Sequence, residues 1–191
     1  MKTIVFDTAS PYLYLSFLSD NKVMYEKFAE GKNRHSENLT QAIAEGLKRY
    51  KLKLSDFNKI YLGIGPGSYT GLRVSVTVGK VLGWALNIPI YTASSLDVLA
   101  SGYFKKDGIY AVTLKAKKNY VYGKLIAIRD GKIKPIIEDI YMNTESFFKL
   151  IDNYDYILVN EKNYIVEPIN IIFKPAIHIH DLSPNYLRRS V

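Results

Sequence analysis

The 191-residue sequence contains no cysteine, which excludes disulfide bonds, thiol catalysis and cysteine-bound zinc. It also lacks any apolar run near the roughly 18 residues that a membrane-spanning helix needs. At the N-terminus only Ile4, Val5 and Phe6 precede a charged residue, and this run is too short for the core of a signal peptide. We therefore expect a soluble, cytoplasmic protein.

The sequence does contain enough apolar residues for a packed core. Hydrophobic residues make up 48% and charged residues 23%, with 16 Tyr, a composition that excludes general disorder. The length is that of one large domain or two small lobes. A soft boundary at 101–108 predicts an N-terminal lobe over 1–101 and a smaller C-terminal lobe over 102–191.

The positive charge is unevenly distributed along the chain. The net charge is +8, yet residues 105–134 hold nine basic and two acidic residues and so account for +7 of it. The basic residues are Lys105, Lys106, Lys115, Lys117, Lys118, Lys124, Arg129, Lys132 and Lys134. Such a cluster is typical of a phosphate-contacting face, and a solvated strand surface remains an equal alternative.

The hydrophobic pattern predicts mixed sheets flanked by helices. Strands are predicted at 3–6, 12–18, 23–28, 59–64, 90–91, 109–114, 120–128, 133–141, 156–159 and 169–173. Helices are predicted at about 34–50 and 72–86, then after Ser94 or Ser95, and at 144–150. A hairpin followed by crossover helices is the order expected of a mixed α/β fold.

A glycine-rich loop connects the fourth predicted strand to the second helix. Residues 63–73 read Gly-Ile-Gly-Pro-Gly-Ser-Tyr-Thr-Gly-Leu-Arg. Such a loop can present backbone N–H groups and the positive end of a helix to an anion. The spacing matches neither a P-loop nor a dinucleotide fingerprint, and a tight strand-to-helix turn is the alternative. With two residues at the end of the first strand, the candidate phosphate-binding residues are Asp7, Thr8, Gly65, Gly67, Ser68, Thr70 and Arg73.

Small residues recur at every fourth position of the second helix, at Gly71, Ser75, Gly79 and Gly83. Such a ridge lets another backbone approach closely. Its partner is either the sheet of this chain or a helix of another subunit. Histidines offer no comparable site, because His35 has no second histidine one turn away, and His178 and His180 have no evident third ligand. We therefore predict no metal site.

Several of these segments appear together in one order and spacing: Asp7-Thr8-Ala9-Ser10, residues 35–39, the 63–73 loop and Pro89-Ile90-Tyr91 through Leu96. Together they resemble the TsaB (YeaZ) family, and residues 183–189 resemble the family's ending, so a complete though short chain is expected. The resemblance implies an actin-like, sugar-kinase-type ATPase fold of two lobes, with a reduced C-terminal lobe.

The resemblance also implies a function in making threonylcarbamoyladenosine in tRNA. In that family the TsaB-type subunit is not the catalyst and forms a heterodimer with TsaD, the metal-bearing transferase, while TsaE, a small ATPase, joins them. We therefore expect a non-catalytic scaffold that requires no cofactor of its own, and the binding of ATP or ADP at the subunit junction is left open. A homodimer of the free protein is left open, and a small-molecule kinase or ATPase of the same fold is the alternative function.

The family pairs its subunits through two helices of the N-terminal lobe, here about 34–50 and 70–86. The candidate partner contacts are Leu39, Ile43, Leu47, Gly71, Ser75, Gly79, Leu82 and Gly83. One departure from the family is Lys115-Ala116-Lys117, where an Asp-Ala-Arg element is common. Loss of the acid weakens the argument for nucleotide hydrolysis, and Lys115, Lys117 and Lys118 become hypothetical tRNA contacts.

Overall fold

The computed structural model describes residues 1–31 and 34–187, without the side chain of His35. The strands are β1 Lys2–Asp7, β2 Tyr12–Ser19, β3 Lys22–Glu30, β4 Lys59–Gly63, β5 Ile90–Ala93, β6 Gly108–Lys115, β7 Tyr120–Arg129, β8 Lys132–Asn143, β9 Ile157–Val159 and β10 Lys174–Pro175. The helices are α1 His35–Tyr50, α2 Tyr69–Leu86, α3 Ser95–Ala100 and α4 Thr144–Ile151. None of the helices in these described ranges is both long and apolar enough to cross a membrane.

The chain forms two compact units. The first comprises Met1–Ser95 and Ile172–Asn185, and the second comprises Leu96–Ile171 with Tyr186 and Leu187. This division differs from the expected lobes at 1–101 and 102–191, because the C-terminal segment returns to the first unit. Its strand β10 pairs antiparallel with β5, a long-range contact that local sequence patterns do not reveal.

The first unit is built on a six-stranded sheet in the order β10-β5-β4-β1-β2-β3. β1 pairs antiparallel with β2 and parallel with β4, so the sheet is mixed, as predicted. The core beneath α1 and α2 includes Phe6, Leu15, Phe17, Ile60 and Leu62, all with 0% exposure. This packing positions the ends of β1 and β4 directly below the start of α2.

The second unit contains a four-stranded sheet in the order β8-β7-β6-β9. α4 covers one face with Phe147 and Ile151, and Phe104 belongs to the core on the other face. α4 begins after Asn143, whose Oδ1 accepts hydrogen bonds from the N–H groups of the next helical turn. The strand predicted at 169–173 is wrong, since Pro168–Asn170 is a 3₁₀ turn with proline at its start.

Candidate functional site

The two loops predicted to bind phosphate pack directly against each other in the first unit. The Ser68 N–H donates to the Ala9 carbonyl oxygen at 2.6 Å, and the Thr8 hydroxyl donates to the Gly71 carbonyl oxygen at 2.7 Å. A Cβ on Gly67 would overlap the same Ala9 carbonyl, and one on Gly71 would overlap the Thr8 carbonyl. The glycines therefore allow the chain's own backbone to approach closely.

Asp7 lies at the end of β1 and is buried, with 4% exposure. Its Oδ1 accepts a hydrogen bond from the Ala9 N–H at 2.6 Å, whereas Oδ2 has no hydrogen-bond partner among the described residues. Gly63 of β4 faces this carboxyl so closely that any side chain there would overlap it. Burial raises the pKa of Asp7, and hydrogen bonding from Ser95 and Ala9 only partly offsets this rise.

The candidate phosphate-binding residues are thus divided between two environments. Asp7, Thr8, Gly65 and Gly67 are buried, whereas Ser68, Thr70 and Arg73 are exposed at the start of α2. Some of the loop's N–H groups are already used, since that of Gly65 donates to Ser95 Oγ at 2.9 Å and that of Gly71 donates to Ser68 Oγ at 3.3 Å. A phosphate bound by these residues stays a prediction. The geometry is that of a tight strand-to-helix turn.

The ridge of small residues on α2 faces the sheet of its own unit. A Cβ on Gly79 would lie 2.9 Å from Leu62 Cδ2, and one on Gly83 would lie 2.8 Å from Ile90 Cδ1. Ser75 Oγ accepts a hydrogen bond from the Thr8 N–H at 3.0 Å. The ridge therefore joins α2 to its own strands, which removes the physical argument for placing a partner subunit on it.

The remaining predicted partner contacts also belong to the internal core. Leu39 and Ile43 of α1 are 0% and 7% exposed, and Leu47 and Leu82 are partly buried in the same cluster. The helical periodicity correctly identified a packed face, but that face packs against this chain. The contact of these residues with a partner subunit stays a prediction.

The opposite side of α2 carries large apolar side chains in solvent. Tyr69, Val81 and Trp84 are 58%, 57% and 72% exposed, and with Thr77 they form what we call the outer face of α2. A groove of about 420 Å³ adjoins this face. Its lining residues are Ser36, Tyr69, Thr70, Arg73, Val74, Thr77 and Val78.

Sequence reasoning missed the outer face, although a signal for it was present. The 18-residue α2 contains just two charged residues, Arg73 and Lys80. The Lys80 Nζ donates to the His180 carbonyl oxygen at 2.7 Å, so it is engaged within the first unit. A helix that is apolar on nearly all sides is normally buried, so the exposed apolar side of α2 is an unusual feature.

Comparison with known proteins decides the family. The family model described as TsaD, tRNA N6-adenosine threonylcarbamoyltransferase, matches residues 28–173. The tRNA threonylcarbamoyladenosine biosynthesis protein TsaB of Bacillus subtilis is 30% identical over 155 residues, which are 81% of this chain and 68% of that protein. The chain belongs to the TsaB (YeaZ) family. Its match covers about half the length of some other TsaB proteins.

Solved structures confirm the fold expected for a TsaB-family chain. A protein described as similar to peptidase YeaZ from Pseudomonas aeruginosa superimposes with a TM-score of 0.77 at 17% identity, over 98% of this chain and 99% of that one. YeaZ from Pseudomonas aeruginosa gives a TM-score of 0.67 at 21% identity, over 74% and 67% of the two chains. At these identities the likeness concerns the fold alone.

The structure divides the basic segment of this TsaB-family chain. Strand register places Lys115 opposite Val121 at one end of the β6–β7 hairpin and Gly108 opposite Ile128 at the other. The exposed basic residues are thereby separated into two groups. One group is Lys115, Lys117 and Lys118, and the other is Lys105, Lys106, Arg129, Lys132 and Lys134.

Lys124 does not belong to either exposed group, because its side chain is buried within the second unit. Its Nζ lies 2.8 Å from Asp97 Oδ2 and 3.4 Å from Asp139 Oδ1. Burial by itself would lower the pKa of Lys124, but the two carboxylates outweigh it and raise the pKa above its ordinary value. The predicted single basic face is therefore wrong in its extent.

The described part of the chain contains no group of three histidine, aspartate or glutamate side chains placed to hold a metal ion. His178 and His180 lie in a turn of the C-terminal segment. The described surface thus has two distinctive features. One is the exposed apolar outer face of α2, and the other is the pair of exposed basic groups at the two ends of the β6–β7 hairpin.

Proposed function

We propose that this protein is the non-catalytic scaffold subunit of a complex that forms threonylcarbamoyladenosine in tRNA. In this proposal it forms a heterodimer with a TsaD-type catalytic subunit and is joined by a TsaE-type ATPase. Any nucleotide bound by the complex is assigned to the subunit junction rather than to this chain. The matched TsaB proteins and the TsaD family model support the process.

The observation that carries the partner assignment is the outer face of α2. Trp84 is 72% exposed and Val81 is 57% exposed, one turn apart on a helix whose other side is packed. Tryptophan and neighbouring apolar side chains commonly supply the largest contributions to a protein–protein interface. The adjoining groove can receive a side chain from the partner, which adds shape to the apolar contact. Without TsaD, the same face is available to a second copy of this chain.

The environment of Asp7 supports the non-catalytic assignment. A carboxylate that holds a metal–phosphate complex must be ionised and within reach of it. Asp7 is buried with a raised pKa, and Gly63 and Ala9 enclose it. This geometry supports a structural function for Asp7 and offers nothing to the alternative of an autonomous kinase or ATPase.

The test is association of the purified protein with its cognate TsaD-type subunit, measured by calorimetry. We expect Trp84→Ala to weaken binding by at least about 2 kcal/mol, or roughly 30-fold, if Trp84 is an interface anchor. Ile177→Ala is the matched control, because Ile177 is also highly exposed, at 87%, but lies in the C-terminal segment of the first unit. Equal binding by both variants and the unsubstituted protein would contradict the proposed surface.

A second measurement separates the scaffold from the kinase or ATPase alternative. The scaffold assignment predicts no ATP hydrolysis by the isolated chain beyond that of an Asp7→Asn variant. Hydrolysis that depends on Asp7, together with no association with TsaD, would favour the alternative. Light scattering of the free protein then determines whether it is a homodimer, and whether Trp84→Ala makes it a monomer.

A further inference from the structure

The turn between β6 and β7 holds three lysines on a well-defined backbone. The Ala116 N–H donates to the Tyr120 carbonyl oxygen and the Tyr120 N–H donates to the Lys117 carbonyl oxygen, both at 3.0 Å. Asn119 adopts a positive φ of 62°, and its carbonyl oxygen accepts a hydrogen bond from the Thr144 N–H at 2.9 Å. We call residues 115–119 the lysine turn. Its backbone geometry is fixed before any ligand arrives.

Aromatic side chains support the lysine turn from one side. The Lys117 Nζ lies over the Tyr120 ring, 4.7 Å from its centroid. Tyr120 stacks on Tyr141 at 5.1 Å with an interplanar angle of 18°. A cation held on a stacked ring pair loses less freedom when it meets an anion than one on an unsupported side chain. The Tyr120 ring thus holds one ammonium group of the turn in place.

Most of the charge of the lysine turn is unpaired among the described residues. None of the ion pairs found there involves Lys115, Lys117 or Lys118, and all three residues are exposed. One carboxylate does lie nearby, since Glu161 Oε1 accepts a hydrogen bond from the Lys115 backbone N–H at 2.9 Å. Three ammonium groups beside one carboxylate leave a local excess of positive charge.

The second basic group is a separate feature. Strand β6 has eight residues, so its ends are about 23 Å apart at roughly 3.3 Å per residue. This exceeds the screening length of about 8 Å at physiological ionic strength, so the two ends act independently. At the far end Asp107 and Asp130 are interleaved with the basic residues, and the Asp130 N–H donates to Asp107 Oδ2.

We propose that the lysine turn is a contact surface for the phosphate backbone of RNA. This inference rests on the proposed function, because tRNA is the macromolecular substrate there. Lysine ammonium groups contact phosphate oxygens, and such contacts position the RNA and do not select its sequence. Each lysine neutralises a phosphate and releases counterions, which makes the binding dependent on salt.

The experiment measures the affinity of a labelled tRNA transcript for this protein and for its complex with TsaD, between 50 and 200 mM salt. The test variant is Lys115→Gln, Lys117→Gln and Lys118→Gln combined. We expect its affinity to fall at least about tenfold at the lowest salt. The slope of log affinity against log salt should become shallower by about one for each lysine, or about three in total.

The matched control removes the same charge from the other end of the hairpin, by Lys105→Gln, Lys106→Gln and Lys132→Gln. We expect this control to retain the slope and to lose no more than about threefold in affinity. Equal losses of tRNA affinity in the test and control variants would overturn the proposal. They would show that the affinity depends on the net charge of the protein and not on the position of the lysines. Unchanged tRNA affinity in the test variant would also overturn it, as would loss of TsaD binding with tRNA binding intact, since the turn would then bind protein.

The failure of this inference is distinguishable from failure of the proposed function. Trp84→Ala should impair association with TsaD while the isolated chain keeps its affinity for tRNA. The lysine-turn variant should show the reverse pattern. Equal melting temperatures of the two triple variants, measured by circular dichroism, would exclude unfolding as the cause of any difference.

Discussion

Replacement of Asp7 by asparagine should stabilise the protein at neutral and alkaline pH. The carboxyl is buried, and its Oδ2 lacks a partner among the described residues, so ionisation in the folded state is unfavourable. Asparagine has nearly the same shape and keeps an oxygen to accept the hydrogen bond from the Ala9 N–H. It removes the charge while leaving the surrounding packing intact.

The size of the effect follows from the cost of a buried group without a partner. Such a group costs about 1–3 kcal/mol, and more when it is charged. The asparagine amide is still a buried polar group, so part of the cost remains. We therefore expect a gain of about 1–2 kcal/mol at pH 8, which corresponds to an increase of about 2–8 °C in melting temperature for a protein of this length.

The pH dependence has a definite sign because burial raises the pKa of Asp7 in the folded state. Below 3.8, the pKa of the carboxyl in the unfolded chain, Asp7 is protonated in both the folded and the unfolded state. Its ionisation then makes almost no difference in stability between the unsubstituted protein and Asp7→Asn. As the pH rises through the folded pKa, the folded protein loses the stability that protonation provided. The advantage of Asp7→Asn should therefore grow with pH and then level off.

The assay is urea unfolding of both proteins at pH 4, 6 and 8, followed by circular dichroism. Asp152→Asn is the control, since it removes the same charge from an exposed position and should change stability by less than about 0.5 kcal/mol. A variant less stable than the unsubstituted protein at pH 8 would refute the reasoning. A stability advantage of Asp7→Asn over the unsubstituted protein that shrinks as the pH rises would refute it as well.

Three further substitutions test the packing of α2 and the buried lysine by urea unfolding. Gly79→Leu should cost about 1–3 kcal/mol, because even its Cβ would lie 2.9 Å from Leu62 Cδ2. Lys124→Met should cost about 3–5 kcal/mol at neutral pH, because both of its carboxylate partners would remain in the interior. Ser68→Ala should cost about 1 kcal/mol, because its hydroxyl accepts a hydrogen bond from the Gly71 N–H at the start of α2.

Each of these substitutions has a matched control. Thr77→Leu adds bulk to the exposed side of α2 and should leave stability within about 0.5 kcal/mol. Lys149→Met breaks an exposed ion pair with Glu145 and should cost no more than about 0.5 kcal/mol. Ser68→Asp retains an oxygen for the helix cap and should retain stability. Equal effects in a substitution and its control would show that the local contact is not the cause.

The element pattern was largely predictable because it depends on local chemistry. Short runs of apolar and β-favouring residues identified β1 to β4, and an apolar face of period 3.6 identified α1. The strand predicted at 169–173 failed because isoleucine-rich segments favour strands locally, whereas Pro168 begins a turn there. The real strand, β10, has just two residues and exists through its pairing with β5.

The candidate site was less predictable because a pattern along one helix does not identify what the helix meets. The ridge at Gly71, Ser75, Gly79 and Gly83 correctly indicated a close approach, and the structure supplies its own strands as the neighbour. Trp84 was passed over because the sequence does not show on which side of α2 the sheet lies.

By itself the sequence determined the α/β class, the order of the elements, the excess of lysine and the resemblance that established the family. These properties depend on residue type and on spacing within a few helical turns or one hairpin. Tertiary structure decided which side of α2 is free, why Asp7 is enclosed and how the lysines divide. Burial and strand register decide such matters, and they bring together residues far apart in the chain, as when Lys124 meets Asp97 inside the second unit.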